Sequence, residues 1–81
     1  MEKDQFENLR KNISIIRHSM MMDKTEFANF FGFRKAFCEV ETGRFNPKID
    51  ELAKISKHTS LPLDEMMFGE LRLKVLRETD Q

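Results

Sequence analysis

Two neighbouring cations, Arg34 and Lys35, carry the clearest chemical potential in this sequence, because they follow directly on a turn at Gly32-Phe33. Between Asp23 and Lys48 the pattern reads as a short capped helix, that turn, and a second short helix with both cations in its first turn. Two helices joined by a tight turn make a helix-turn-helix, whose second helix can enter the major groove of duplex DNA. Alone, Arg34 and Lys35 would be ordinary solvated charges; their place in the pattern is what points to nucleic acid. Catalytic chemistry finds little support. There is no phosphate-cradling glycine loop, no His-Glu-x-x-His, and no Ser or Cys with a plausibly placed base. Each carboxylate has a capping or surface explanation. His18 and His58 are far apart and lack ligand-like neighbours, so neither a metal nor a cofactor is expected. Cys38 reads as a packing or partly exposed thiol. The expectation is a binding protein with no catalytic residues.

Eighty-one residues fit one small domain with one core. Fourteen basic residues balance fourteen acidic ones, which argues against a chain that coats nucleic acid indiscriminately but permits a locally basic face. Within residues 23–48, Lys24, Arg34, Lys35, Arg44 and Lys48 only narrowly outnumber Asp23, Glu26, Glu39 and Glu41. Specific contacts would therefore have to supply what bulk electrostatics does not. The single cysteine suits a reducing compartment. With no bilayer-length apolar run and no signal-peptide pattern, the expected location is the cytoplasm, away from membranes and on the nucleoid when DNA is bound.

The elements that would position these residues follow from periodicity. Phe6, Leu9, Ile13, Ile16 and Met20 recur at helical spacing and form one apolar stripe over residues 4–20. Asp23 with Glu26 makes a capping box ahead of Phe27, Ala28 and Phe31, and Gly32 supplies the stop. Residues 34–42 give the next short helix, with Phe37 and Val40 inward and Gly43 ending it. Asn46-Pro47 is a start signal for a helix that turns Ile49, Leu52, Ala53 and Ile55 inward. Pro62 opens a last helix with Met66, Met67 and Phe68 apolar and Gly69 closing it. The tail from Glu70 to Gln81 fits helix or strand, and its apolar residues suggest pairing with a second subunit. The sum is an all-α domain of five helices over 1–69, with the motif at about 23–43, followed by a C-terminal extension over 70–81 that is a candidate dimerisation arm.

The order Asp23-Lys24-Thr25-Glu26-Phe27-Ala28, Phe31-Gly32, Val40-Glu41-Thr42-Gly43, Asn46-Pro47 and Leu63-Asp64-Glu65-Met66-Met67-Phe68-Gly69 resembles the lambda-repressor-like helix-turn-helix family, the Cro and XRE type of bacterial and phage regulators. The resemblance covers about Phe6 to Gly69. It implies that Arg34, Lys35 and Glu39 point at base edges, where Arg or Lys donates to guanine O6 and N7 and Glu accepts from cytosine N4. It also implies phosphate contacts from Lys24 and Thr25, aided by the helix N-terminus, and backbone contacts from Arg44, Phe45 and Asn46 in the exit loop. Arg17 and Glu41 match a pair that forms a largely buried salt bridge in relatives.

Two departures stand beside these matches. The turn plus second helix is one residue shorter than the usual pattern, and Phe33 stands where a small polar cap is expected, which predicts a shifted or poorly capped start. Met21 replaces the glycine that commonly ends the first helix. The leading expectation is a sequence-specific duplex-DNA-binding transcriptional regulator, a repressor acting as a homodimer on a palindromic operator. The alternative, favoured by the neutral charge and shortened turn, is a protein-interaction module such as an antitoxin component.

Overall fold

The apolar stripe of the N-terminal segment forms α1 (Glu7–Ser19), which buries Leu9, Ile13 and Ile16 and leaves Phe6 and Met20 half-buried at either end. In the computed structural model, which describes residues 6–71, α1 is followed by α2 (Lys24–Phe31), a 3-10 helix (Lys35–Glu39), α3 (Ile49–Thr59) and α4 (Leu63–Phe68). No strand occurs among the described residues, so the architecture is all-α. Among the described residues the five-helix expectation is corrected to four α-helices and one short 3-10 segment. None of the described helices is long and apolar enough to cross a membrane.

The 3-10 segment has a physical cause. Neither Phe33 nor Arg34 offers a side-chain oxygen, and the chain enters through Arg34 in extended conformation with no side-chain cap. Phe37 N–H then donates to Arg34 O (2.9 Å) and Val40 N–H to Phe37 O (3.1 Å). Three residues per turn align Phe37 and Val40, so one narrow face buries both. The shifted, uncapped start expected from Phe33 is what this segment displays.

α2 carries the complete capping box: Glu26 N–H donates to Asp23 Oδ1 (2.8 Å) and Asp23 N–H to Glu26 Oε1 (2.9 Å). Gly32 (φ 72°) closes it, with Gly32 N–H on Asn29 O and Phe33 N–H on Ala28 O. Gly43 (φ 88°) repeats the closure after the 3-10 segment, with Arg44 N–H on Glu39 O. Met21 closes α1 the same way at φ 58°, with Met22 N–H on Arg17 O, although a Cβ is disfavoured there.

α3 begins two residues after the Asn46-Pro47 signal, because Asn46 is engaged elsewhere and Pro47 is buried ahead of the helix. Glu51 supplies the cap by folding back to accept Lys48 N–H (2.8 Å). That use of the first turn leaves Leu52 and Ile55 as the inward residues, while Ile49 and Ala53 are exposed rather than buried. In six-residue α4, Met66 alone is fully inward and Phe68 is exposed.

α1 holds α4 with two asparagines one turn apart. Buried Asn12 donates to Met66 O (2.7 Å) and Gly69 O (2.9 Å) and accepts Leu71 N–H (3.4 Å). Asn8 donates to Met67 O (3.0 Å) and Gly69 O (2.9 Å). Gly69 has ordinary φ; it is needed because a Cβ there would lie 2.7 Å from Glu65 O. Leu71 is buried in the core, so the domain extends past the boundary expected at residue 69. The remainder of the tail, residues 72–81, and the choice between helix and strand for it lie outside the described residues.

Two substitutions test these closures in opposite directions. Met21→Gly should raise stability by about 1 kcal/mol by relieving the left-handed conformation at an exposed position. Asn12→Ala should lower it by about 2 kcal/mol by stranding the Met66 carbonyl and the Leu71 N–H, since Asn8 still holds Gly69 O. Urea denaturation read by circular dichroism checks both.

Candidate nucleic-acid interface

The surface expected to meet DNA sits on a motif too short to hold itself, so its geometry depends on what grips it. Arg17 of α1 donates from Nε to Glu41 Oε2 (2.7 Å) and from Nη2 to Glu41 Oε1 (3.1 Å), a bidentate pair with side chains 12% and 14% exposed. Its Nη1 also donates to Met22 O (2.9 Å), fixing the turn that leads into α2. The hydrogen bond to Glu41 raises the Arg17 pKa above its ordinary value, against the opposing effect of burial. One fork thus orients both arms of the motif.

Arg10 supplies a second grip that the sequence pattern did not single out. Its Nη1 donates to Val40 O (2.6 Å) and Phe45 O (3.0 Å), and its Nη2 to Asn46 Oδ1 (2.7 Å). The signal that could have revealed it is spacing: seven residues separate Arg10 from Arg17, which returns both to one face of α1. Asn46, expected at the DNA backbone, is exposed but spends its side-chain oxygen on Arg10.

Around these grips the expected contact residues fall into two linked groups. Cys38 Sγ reaches Lys24 O at 3.6 Å, which sets the 3-10 segment beside the N-terminus of α2 with half-buried Lys24 and exposed Thr25. The Arg34 guanidinium lies over the Phe45 ring, 5.0 Å from its centroid, and so joins the start of the segment to the exit loop. Arg34, Lys35, Glu39 and Arg44 are all exposed. Thr42 Oγ1 donates to Glu39 Oε2 (3.0 Å), which leaves the carboxylate turned along its own segment. Lys24, Arg34, Lys35 and Arg44 form no ion pair among the described residues.

Comparison with protein-family models, with curated proteins and with solved structures finds no match to this chain.

The two grips should be separable from the surface they support. Arg17→Met should cost about 3 kcal/mol, because Glu41 would remain largely buried without its partner. The double change Arg17→Met with Glu41→Leu should recover most of that loss in a thermal double-mutant cycle. Equal loss in the single and double variants would contradict the charge-pairing account.

Proposed function

We propose that this chain binds duplex DNA sequence-specifically as a transcriptional regulator of the repressor type, with the segment 34–42 directed into the major groove. The observation that carries the proposal is a set of four cations, Lys24, Arg34, Lys35 and Arg44, held without ion-pair partners among the described residues on one short motif whose backbone two guanidinium groups fix. Fixed donors are what base-edge recognition needs, since Arg or Lys must meet guanine O6 and N7 at hydrogen-bond distance. Lys24 and Thr25 stand at the N-terminus of α2, where a phosphate would meet the positive end of the helix. The Arg34–Phe45 stack lets the exit loop present a ring edge toward sugar and phosphate while it orients the guanidinium. Glu39 would contribute selectivity by accepting from cytosine N4 once released from Thr42.

In this proposal two copies act together on a palindrome with half-sites about one helical turn apart. Phe68, 75% exposed at the end of α4 beside the start of the C-terminal extension, is apolar surface suited to a second copy. Deletion of residues 72–81 spares buried Leu71 and should weaken self-association in sedimentation; an unchanged oligomer would exclude the extension from the interface.

A second reading is favoured by the conformation of the segment. A five-residue 3-10 helix is narrower and shorter than the reading helices of the resembled family, and the chain has no net charge. A helix-turn-helix used to bind a protein, as in an antitoxin component, would tolerate both. Selection from a random duplex library separates the two readings. The DNA proposal expects enrichment of a palindrome, affinity that falls with salt, and at least about a tenfold loss on changing Arg34 and Lys35 together to Ala. No enriched duplex, or an enriched duplex indifferent to that double change, would overturn it.

A further inference from the structure

Away from the four cations, the C-terminal end of α2 meets the C-terminal half of α3 in a hollow of about 350 Å³ lined by Phe30, Phe31, Lys54, Lys57 and His58. Phe30 is 50% exposed, whereas the rings next to it grade from half-buried Phe31 and Phe33 to buried Phe27 and Phe37. The His58 ring meets Phe30 edge to face (centroids 5.0 Å apart, 74°) and Phe31 likewise (5.5 Å, 88°). Phe31 stacks on Phe33 (5.1 Å, 12°), and Lys54 Nζ lies 5.9 Å from the centroid of the Phe33 ring. Lys54, Lys57 and His58 share one face of α3, at spacings of three and four residues. No carboxylate lines the hollow. The result is an apolar aromatic floor with two ammonium groups at its rim and no internal counter-charge among its lining.

We infer that this hollow docks an acidic segment of a partner protein, one that packs an aromatic or branched aliphatic side chain onto the surface formed by Phe30, Phe31 and His58 while its carboxylates meet Lys54 and Lys57. Charge complementarity selects this occupant. A second copy of the chain is disfavoured, because a two-fold contact through the hollow would set Lys54 and Lys57 against their own counterparts. Nucleic acid is disfavoured by the small extent of the basic rim. Stacked single strands need a positively charged groove that tracks the backbone, whereas this hollow offers only Lys54 and Lys57 at one rim of a small apolar floor. The residues involved are separate from those proposed to meet DNA, so a regulator could hold its operator and this partner together.

Selection of a displayed random-peptide library on the full chain, followed by anisotropy with the best synthetic peptide, tests the inference. Enriched peptides should combine Asp or Glu with a bulky apolar residue. Binding should weaken by about tenfold or more in Lys54→Glu with Lys57→Glu, and likewise in Phe30→Ser, with circular dichroism unchanged. Affinity should be unaltered in the Arg34→Ala, Lys35→Ala variant. Peptides without acidic residues, or undiminished binding to the charge-reversed variant, would overturn the proposal. So would self-association that Phe30→Ser abolishes, which would make a second copy the occupant. Oligonucleotide binding that persists without Arg34 and Lys35 and disappears on reversing Lys54 and Lys57 would make nucleic acid the occupant and overturn it equally.

Discussion

A 3-10 helix of five residues makes too few hydrogen bonds to persist by itself, so Lys35–Glu39 rests on α2 through Phe37 and Cys38, while α1 grips the residues that follow it, Val40 to Asn46, with two guanidinium groups. Arg17 holds the far side through Glu41 and the near side through Met22 O; Arg10 holds Val40 O, Phe45 O and Asn46. Both arginines emerge from one face of a thirteen-residue helix, directly beside the stripe that is anchored in the core. Position is thereby transmitted from the hydrophobic core to a short surface segment through charge-assisted hydrogen bonds. Planar guanidinium suits the task, since it can bind a carboxylate and backbone carbonyls together.

Beneath that polar frame runs an aromatic one. Phe27 meets Phe31 and Phe37; Phe33 bridges Phe31 and Phe37; Phe37 meets Phe45. The rings link α2, the turn, the 3-10 segment and the exit loop, with Arg34 over the last ring and His58 against the first members. Phe33 explains the odd turn: it cannot cap a helix, but it fills the space between Phe31 and Phe37 by packing. Apolar area replaces a capping hydrogen bond, and the helical start is lost in exchange. The same frame gives the two proposed surfaces separate ends of one motif.

What the sequence made legible and what it concealed follow from the range of each interaction. Periodicity placed α1, the capping box at Asp23 and Glu26, and the stops at Gly32 and Gly43, because these depend on residues within a turn or two. The bidentate Arg17–Glu41 pair joins residues twenty-four positions apart, a separation that hides it from periodicity. Arg10, Asn8 and Asn12 were concealed because each looks like an ordinary polar face until the carbonyls of Val40, Phe45, Met66 and Gly69 arrive beside it. Asn46 misled for the same reason: its local pattern is a cap, but Arg10 takes its side chain. The 3-10 conformation was hidden because helical spacing and three-residue spacing both turn Phe37 and Val40 inward. Ile49 and Phe68 show the limit at helix ends, where one or two residues of displacement decide burial.

The central claim, that the fixed cations of this motif meet duplex DNA, is tested most directly by amide chemical shifts during titration with a duplex. The account predicts the largest changes at Lys24 and Thr25, across 34–39 and at Arg44–Asn46, with the amides of Phe30, Lys57 and His58 little affected. Changes centred on 30–33 and 54–58, or no saturable change with any selected duplex, would contradict it.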